Sequence, residues 1–279
     1  MHIGAAMFFT DYSMSPGELG KALEERGFES VWAPEHSHIP LTRKSPFPGG
    51  GELPKKYYDA MDPFVSLMAA AAATQKLKVG TGVCLVNQRD PIQTAKLVSS
   101  IDQLSGGRFL FGVGNGWNQD EMENHGTAFD TRHKLVRERI EAMKAIWTKS
   151  KAEYHGDMVK FDPMMAWPKP VQSHIPVLVG AAGNEKNFKW IARSADGWIT
   201  TPRDFDIDEP VKLLQDTWAA AGRDGAPQIV ALDFKPVPEK LAQWAELGVT
   251  EVLFGLPDKS EDEVAAYVER LAGKLAAAV

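Results

Sequence analysis

Short apolar runs alternate with longer amphipathic stretches along the whole 279-residue chain. Residues 3–9 form an unbroken apolar run and predict a first strand. Ser15-Pro16 then opens a helix, with Ser15 as cap, Pro16 in the first turn, and Leu19, Ala22 and Leu23 on its apolar face. Gly27 ends it, and residues 29–33 predict a second strand. Asp62-Pro63 starts a helix that runs through alanines to Thr74. Residues 78–85, uncharged after Lys78, predict a third strand buried on both faces. Asp90-Pro91 opens the next helix, which stops at Gly106-Gly107. Residues 108–113 predict strand four. The helix over 131–148 carries Val136, Ile140, Met143 and Trp147 at i, i+4, i+7 and i+11. The same alternation predicts strands over 176–180, 197–201, 228–233 and 250–255. Helices are expected over 184–194, 208–221 and 238–247, and a last one carries Val264, Val268, Leu271 and Leu275 on one face.

Eight consecutive β-then-α units demand parallel strands with helical crossovers, and eight in a chain of this length is the count of a closed (β/α)8 TIM barrel. One domain is expected over 1–279. Two stretches interrupt the rhythm: the Gly- and Pro-rich loop 35–62 after strand 2, and 152–174 after helix 4, which reads as an inserted hairpin or loop. No fixed-period repeat is present. In such barrels chemistry sits on the loops that follow the strands.

Composition narrows the function classes. Thirty-one basic against 37 acidic residues give a net charge of −6, with no basic stripe for nucleic acid and no basic amphipathic helix for a membrane surface. Cys84 is the single cysteine, so it has no intramolecular disulfide partner, and its apolar surroundings read as core. No signal-peptide pattern or membrane-length apolar run is seen, and a cytoplasmic location is the expectation.

Four strand-end loops carry candidate chemistry. After strand four come Gly112, Gly114 and Gly116 in alternation, with Asn115 and Trp117 between and beyond them; exposed amides in such a loop bind anions. After strand five, Gly180-Ala181-Ala182-Gly183-Asn184 opens directly onto a helix, whose N-terminus suits a phosphate. Strand two ends in Glu35-His36-Ser37-His38. A histidine there can exchange a proton near neutral pH, and a neighbouring carboxylate could orient it. His36 and His38 could instead be metal ligands, though the other strand ends supply at best Asp258 as a third. Strand three carries Thr81-Gly82-Val83, where Gly82 suggests a bulge or close approach to a ligand. The long loop 37–62 can act as a lid or as a passive surface loop.

Taken together, Ala33-Pro34-Glu35-His36, Gly80-Thr81-Gly82-Val83, the run from Gly107 to Trp117, Trp167-Pro168-Lys169-Pro170-Val171-Gln172, the run from Ile175 to Gly180, and Ala195-Asp196-Gly197-Trp198 resemble the luciferase-like flavin and deazaflavin oxidoreductase family over nearly the whole chain. The resemblance implies a barrel with the cofactor ring over the strand tips, backed by a non-proline cis peptide at Gly82-Val83. It implies a cofactor phosphate against Gly114, Asn115, Gly116 and Trp117 and against Gly180, Ala181, Ala182, Gly183 and Asn184. The Glu35-His36 tip is similar to the deazaflavin branch, which uses coenzyme F420, with His36 taking a proton and Glu35 orienting it or bonding the ring. FMN is the alternative cofactor, in a monooxygenase. The family's sugar-phosphate dehydrogenases carry a glutamate where this chain has Trp117; Glu121, one turn on, could replace it if it points inward. Relatives are often dimers, so a homodimer acting on a small-molecule substrate is the expectation. A metal-dependent barrel hydrolase and a non-catalytic binding barrel remain the readings from other classes.

Overall fold

The computed structural model describes residues 1–201, 206–233 and 235–276. Eight parallel strands close a barrel: β1 His2–Ala6, β2 Ser30–Ala33, β3 Lys78–Thr81, β4 Phe109–Gly114, β5 Val177–Gly180, β6 Gly197–Ile199, β7 Gln228–Asp233 and β8 Glu251–Gly255. Each strand pairs with its neighbour in sequence, and β8 closes onto β1 with Ile3 opposite Val252. Helices between the strands form the outer ring. Three of them start as the sequence predicts: Ser15 accepts from Glu18 N–H, Asp62 from Phe64 and Val65 N–H, and Asp90 from Gln93 N–H, each followed by proline.

Alternate strand residues divide the core in two. Trp32, Leu178, Ile199, Val230 and Leu253 fill the inside of the barrel. Val31, Val79, Phe109, Phe111, Val177 and Val252 face outward into the layer beneath the helices. Trp32 is the largest side chain inside and leaves no room beside it. A side-chain carbon at Gly80 would lie 2.6 Å from its ring.

At the N-terminal end of the barrel, Trp32 Nε1–H donates to Ser30 Oγ at 2.7 Å, and Ser30 Oγ–H donates to the buried Glu251 carboxylate. Burial pushes the Glu251 carboxyl above the usual range, against the opposing pull of the Ser30 hydrogen bond. A carboxyl raised in this way holds its proton more tightly folded than unfolded. Stability is therefore unaffected below the unfolded-state value and falls as pH climbs from there to the folded-state value. Glu251→Gln should remove that slope, which for one proton is at most about 1.4 kcal/mol per pH unit. Urea unfolding of both proteins between pH 4 and 8 checks this; parallel stability curves would refute it.

The elements differ from the sequence-based expectation in informative places. As a continuous strand β3 stops at Thr81, not residue 85; past the cis Gly82–Val83 peptide, pairing with β4 resumes at Cys84 alone, whose N–H donates to Gly112 O at 2.8 Å and whose carbonyl accepts from Gly114 N–H at 2.9 Å. Cys84, Leu85 and Val86 are apolar because they are buried beyond the strand, and Val86–Gln88 is a 3-10 turn. β1 ends at Ala6, yet Met7 N–H still donates to Trp32 O at 2.9 Å. Residues 152–174 contain a hairpin, Ala152–His155 paired antiparallel with Lys160–Met164. Its turn is fastened by Glu138, whose carboxylate accepts from Met158 and Val159 N–H. Two short helices, Lys56–Asp59 and Gln119–Asn124, were not anticipated. Among the described residues, no helix is long and apolar enough to cross a membrane.

Candidate active site

The tips of β2, β3, β4 and β5 lie side by side at the C-terminal end of the barrel, so the loops that follow them meet there. Val83 is the wedge between them. A side-chain carbon at Gly114 would lie 2.4 Å from Val83 Cγ2, and one at Gly180 would lie 2.7 Å from Val83 Cγ1. Gly114 and Gly180 are also paired across β4 and β5. Their glycine identity is set by packing against Val83. The alternating glycines therefore have separate causes: Gly112 clears the β3 backbone, Gly114 clears Val83, and only Gly116 takes a positive φ, of 69°. The non-proline cis peptide that the resemblance implied is present at Gly82–Val83.

Thr81 does not face a ligand. It is fully buried, and its hydroxyl donates to Gly112 O at 2.7 Å, tying β3 to β4. Gly82 and Val83 are partly exposed at the rim, as are Asn115, Gly116 and Trp117. After β5, Ala181 O accepts from Trp198 Nε1–H, and Ala182 O from Asn187 Nδ2. Gly183 packs so that a side-chain carbon would sit 2.9 Å from Pro210. The Asn184 side chain caps the helix Glu185–Ser194 through Asn187 N–H, so that amide is committed to the fold.

His36 and Glu35 part company. Glu35 points under the β3 loop, where one carboxylate oxygen accepts from Leu85 N–H at 2.6 Å and the other pairs with Arg89, which also reaches Asp62. It does not orient His36, contrary to the sequence-based expectation. The orienting carboxylate is Glu121, fully buried on the helix Gln119–Asn124. His36 Nδ1 lies 2.8 Å from Glu121 Oε2, and Ser37 N–H donates to Glu121 Oε1 at 3.3 Å. A carboxylate only accepts, so Nδ1 carries the hydrogen and Nε2 carries the lone pair. The result is an imidazole fixed in rotation and tautomer, its Nε2 suited to accept a proton. The signal in the sequence was the start of a helix, with Asn118 at the cap and Asp120 and Glu121 in the first turn.

Cys84 is fully buried beside Glu35, and burial together with that carboxylate pushes its thiol well up, which makes it a core residue and no nucleophile. His38 does not converge with His36 on a common point. Its Nδ1 meets Ser37 Oγ and its Nε2 meets Asn124 Nδ2. Ser37 Oγ also lies 2.8 Å from His125 Nε2. Among the described residues no group of three or more His, Cys, Asp or Glu is arranged to hold a metal ion.

The loop between β2 and the helix Pro63–Ala72 crosses over this site. Tyr57 lies 5.3 Å from the His36 ring and Trp117 lies 5.9 Å from it, centroid to centroid. Phe47 touches both, at 5.2 and 5.8 Å. Burial raises the Tyr57 phenol. The loop is latched to the helix Gln119–Asn124 by Asp120, which accepts from Thr42 Oγ1 at 3.0 Å and from Lys44 N–H at 2.6 Å. Asp120→Ala removes both bonds, and tryptic cleavage at Arg43 and Lys44 should accelerate about tenfold. An unchanged cleavage rate would show that the latch does not hold the loop.

Polar atoms without a partner include those of three asparagines, two of them joined by a bond from Asn87 Nδ2–H to Asn115 O at 3.0 Å. Asn118 is 1% exposed and stands at a helix cap position, yet it makes no capping bond and neither of its amide atoms is bonded. Asn115 Oδ1 and Asn87 Oδ1 are likewise buried and unbonded. Buried amides cost free energy when unpaired, so such a set marks a place where a polar ligand group can complete the bonding.

The family model for luciferase-like monooxygenases matches residues 16–272. An uncharacterized protein of Mycobacterium tuberculosis is 59% identical over 282 residues, covering 100% of both chains. Two solved structures have the same fold. The monooxygenase RslO1 from Streptomyces bottropensis superimposes with a TM-score of 0.79 at 20% identity, covering 99% of this chain and 98% of that one. An F420-dependent secondary alcohol dehydrogenase in complex with an F420-acetone adduct superimposes with a TM-score of 0.78 at 16% identity, covering 100% and 99%.

Proposed function

The chain belongs to the luciferase-like monooxygenase family, and on that footing we propose that it is a deazaflavin-dependent oxidoreductase, using coenzyme F420 to move hydride to or from a small organic alcohol or carbonyl compound. The observation that carries this reading is the His36–Glu121 pair at 2.8 Å. Oxidising an alcohol requires a base at the hydroxyl while the C–H bond is given up, and a histidine fixed by a buried carboxylate is such a base. The F420-dependent alcohol dehydrogenase among the structural neighbours carries out this class of reaction.

The residues present fit the cofactor. Val83 and the partly exposed Gly82 offer an apolar floor at the strand tips, and the unbonded amides of Asn115 and Asn118 offer partners for a polyol-phosphate chain. The backbone at Gly116, Ala182 and Gly183 is the proposed seat of the phosphate, whereas the buried Gly114 N–H is spent on Cys84 O at 2.9 Å. When bound, a deazaflavin supplies a two-electron acceptor for the hydride. The protein's part is the proton. His36 Nε2 takes it from the substrate hydroxyl, Glu121 stabilises the resulting cation, and the surrounding rings exclude water.

Fluorescence titration of the purified protein with F420 and with FMN tests the reading. F420 is expected to bind and FMN to bind at least about tenfold more weakly. Oxygen consumption with reduced FMN, together with no binding of F420, would overturn it in favour of a flavin monooxygenase.

A further inference from the structure

One short helix, Gln119–Asn124, holds both the imidazole and the loop that crosses it. Glu121 fixes His36 and Ser37 N–H, and Asp120 takes Thr42 and Lys44 N–H. Asn124 Nδ2 meets His38 Nε2, and Gln119 N–H donates to Ser45 Oγ at 3.3 Å. The position of this helix therefore decides both whether the loop is shut and whether His36 is oriented. The residue that leads into it stands apart. Asn118 is 1% exposed, and its side chain makes no bond to the helix or to any other described residue. With Nδ2 and Oδ1 both unpaired, it offers a donor and an acceptor side by side. Burying such an amide without a partner weighs against the closed arrangement, because opening returns it to water. The loop lies beside it, since Ser45 is bonded to the very next residue.

Resting on the oxidoreductase reading above, we propose that Asn118 is a cofactor-contacting residue that couples cofactor binding to closure of the loop. The chemistry of its amide selects the group it meets. A phosphate dianion only accepts and would leave Oδ1 unpaired, whereas the hydroxyls of a polyol both donate and accept and satisfy both atoms. The partner is therefore the polyol part of the cofactor chain, which F420 and FMN share. The amide is reached with the loop open and is completed when loop and helix close over the polyol. Bound cofactor thus supplies to the closed state the bonds that the free protein lacks there. By reciprocity, whatever holds the loop shut tightens cofactor binding. Toward the reaction Asn118 is a positioning residue, acting through the helix that keeps Glu121 on His36.

The test compares the native protein with Asn118→Leu and Asn118→Ala. Leucine approximates asparagine in size and removes the unpaired amide. Without cofactor, Asn118→Leu should raise the urea midpoint and slow tryptic cleavage at Arg43 and Lys44 about three- to tenfold. A residue that merely supports the fold would give the opposite sign. Fluorescence titration should show F420 binding to both variants at least about tenfold more weakly. Saturating F420 should slow cleavage of the native protein about tenfold, and of either variant less than about twofold. Asp120→Ala, which leaves Asn118 in place, should weaken F420 binding by up to the factor by which F420 slows native cleavage. A Kd for F420 within about twofold of native in Asn118→Ala overturns the proposal. So does protection of the loop by F420 that survives the substitution, and so does a folded Asn118→Leu less stable than the native protein. If Asn118→Leu does not fold, Asn118→Ala carries the binding and protection measurements by itself. Failure of F420 to bind the native protein sinks the oxidoreductase reading instead, and the same titrations and cleavage rates with FMN then judge Asn118 separately.

Discussion

Replacing His36 by glutamine should lower kcat/KM for alcohol oxidation by about 10²- to 10⁴-fold, the usual contribution of a positioned general base. The change is expected in the chemical step. His36 is largely buried, and glutamine approximates its size, so the fold and the binding of F420 should survive. Glu121→Gln is the more discriminating variant. Ser37 N–H donates to Glu121 Oε1, so a glutamine carbonyl would keep that place and its amide would face His36 Nδ1. An amide N–H can only donate there. It would push the imidazole hydrogen onto Nε2 and remove the lone pair from the side where the substrate's proton must be accepted. Glu121→Gln should therefore lose at least about 10²-fold although it touches no substrate. Rates of both variants, measured beside cofactor titrations, decide the matter. If His36→Gln stays within about tenfold of the native rate, the base lies elsewhere.

Gly112→Ala should be among the most damaging single-methyl additions to this protein. The new carbon would lie 1.9 Å from Thr81 O and 2.8 Å from Ile199 Cδ1. Thr81 has no freedom to retreat, because its hydroxyl donates back to Gly112 O and its strand is paired with β2 through Ala33. The barrel would have to open between β3 and β4, at a cost above about 4 kcal/mol, or the variant would not accumulate as folded protein. Gly126→Ala is the comparison. Its φ of 75° makes alanine strained, but nothing lies within 4 Å, so about 1–2 kcal/mol is expected. Urea unfolding of the two side by side separates collision from backbone strain. Equal losses would show that β3 and β4 yield more readily than the distances imply.

The barrel was legible because its signal is redundant. Each unit pairs a short apolar run with a capped helix, and the three Ser/Asp-Pro starts at 15, 62 and 90 placed helix onsets by local chemistry alone. Strand ends were less legible. Burial resumes after Val83 at Cys84, Leu85 and Val86, and hydrophobicity reports burial, not continuous strand pairing. At the site, the sequence singled out His36 with Glu35 to orient it or bond the ring, and Glu121 as an acid only if it points inward; the carboxylate beside the imidazole is Glu121. Glu35 and His36 are adjacent in the chain, and consecutive side chains past an extended strand point apart. Glu121 is 85 positions away, and the closing of the barrel and the short helix Gln119–Asn124 bring it to the imidazole. Tyr57 and Phe47 had no periodic signature, since one sits on the four-residue helix Lys56–Asp59 and the other on irregular backbone beside Gly49. The two loops proposed for the phosphate do lie together, but Thr81 and the Asn184 side chain serve the fold.

Val83 has a consequence for how this protein can change. Its two methyl groups occupy the volume that side chains at 114 and 180 would need. The three positions therefore behave as a single character. Any lineage or directed-evolution trajectory that enlarges 114 or 180 has to shrink 83 in the same step, and one that enlarges 83 has no neighbour left to trim. Reshaping this part of the strand tips by single substitutions is closed off, whereas the loop bearing Phe47 and Tyr57 can drift one residue at a time. Substrate range should thus diverge quickly among close relatives while the floor stays fixed.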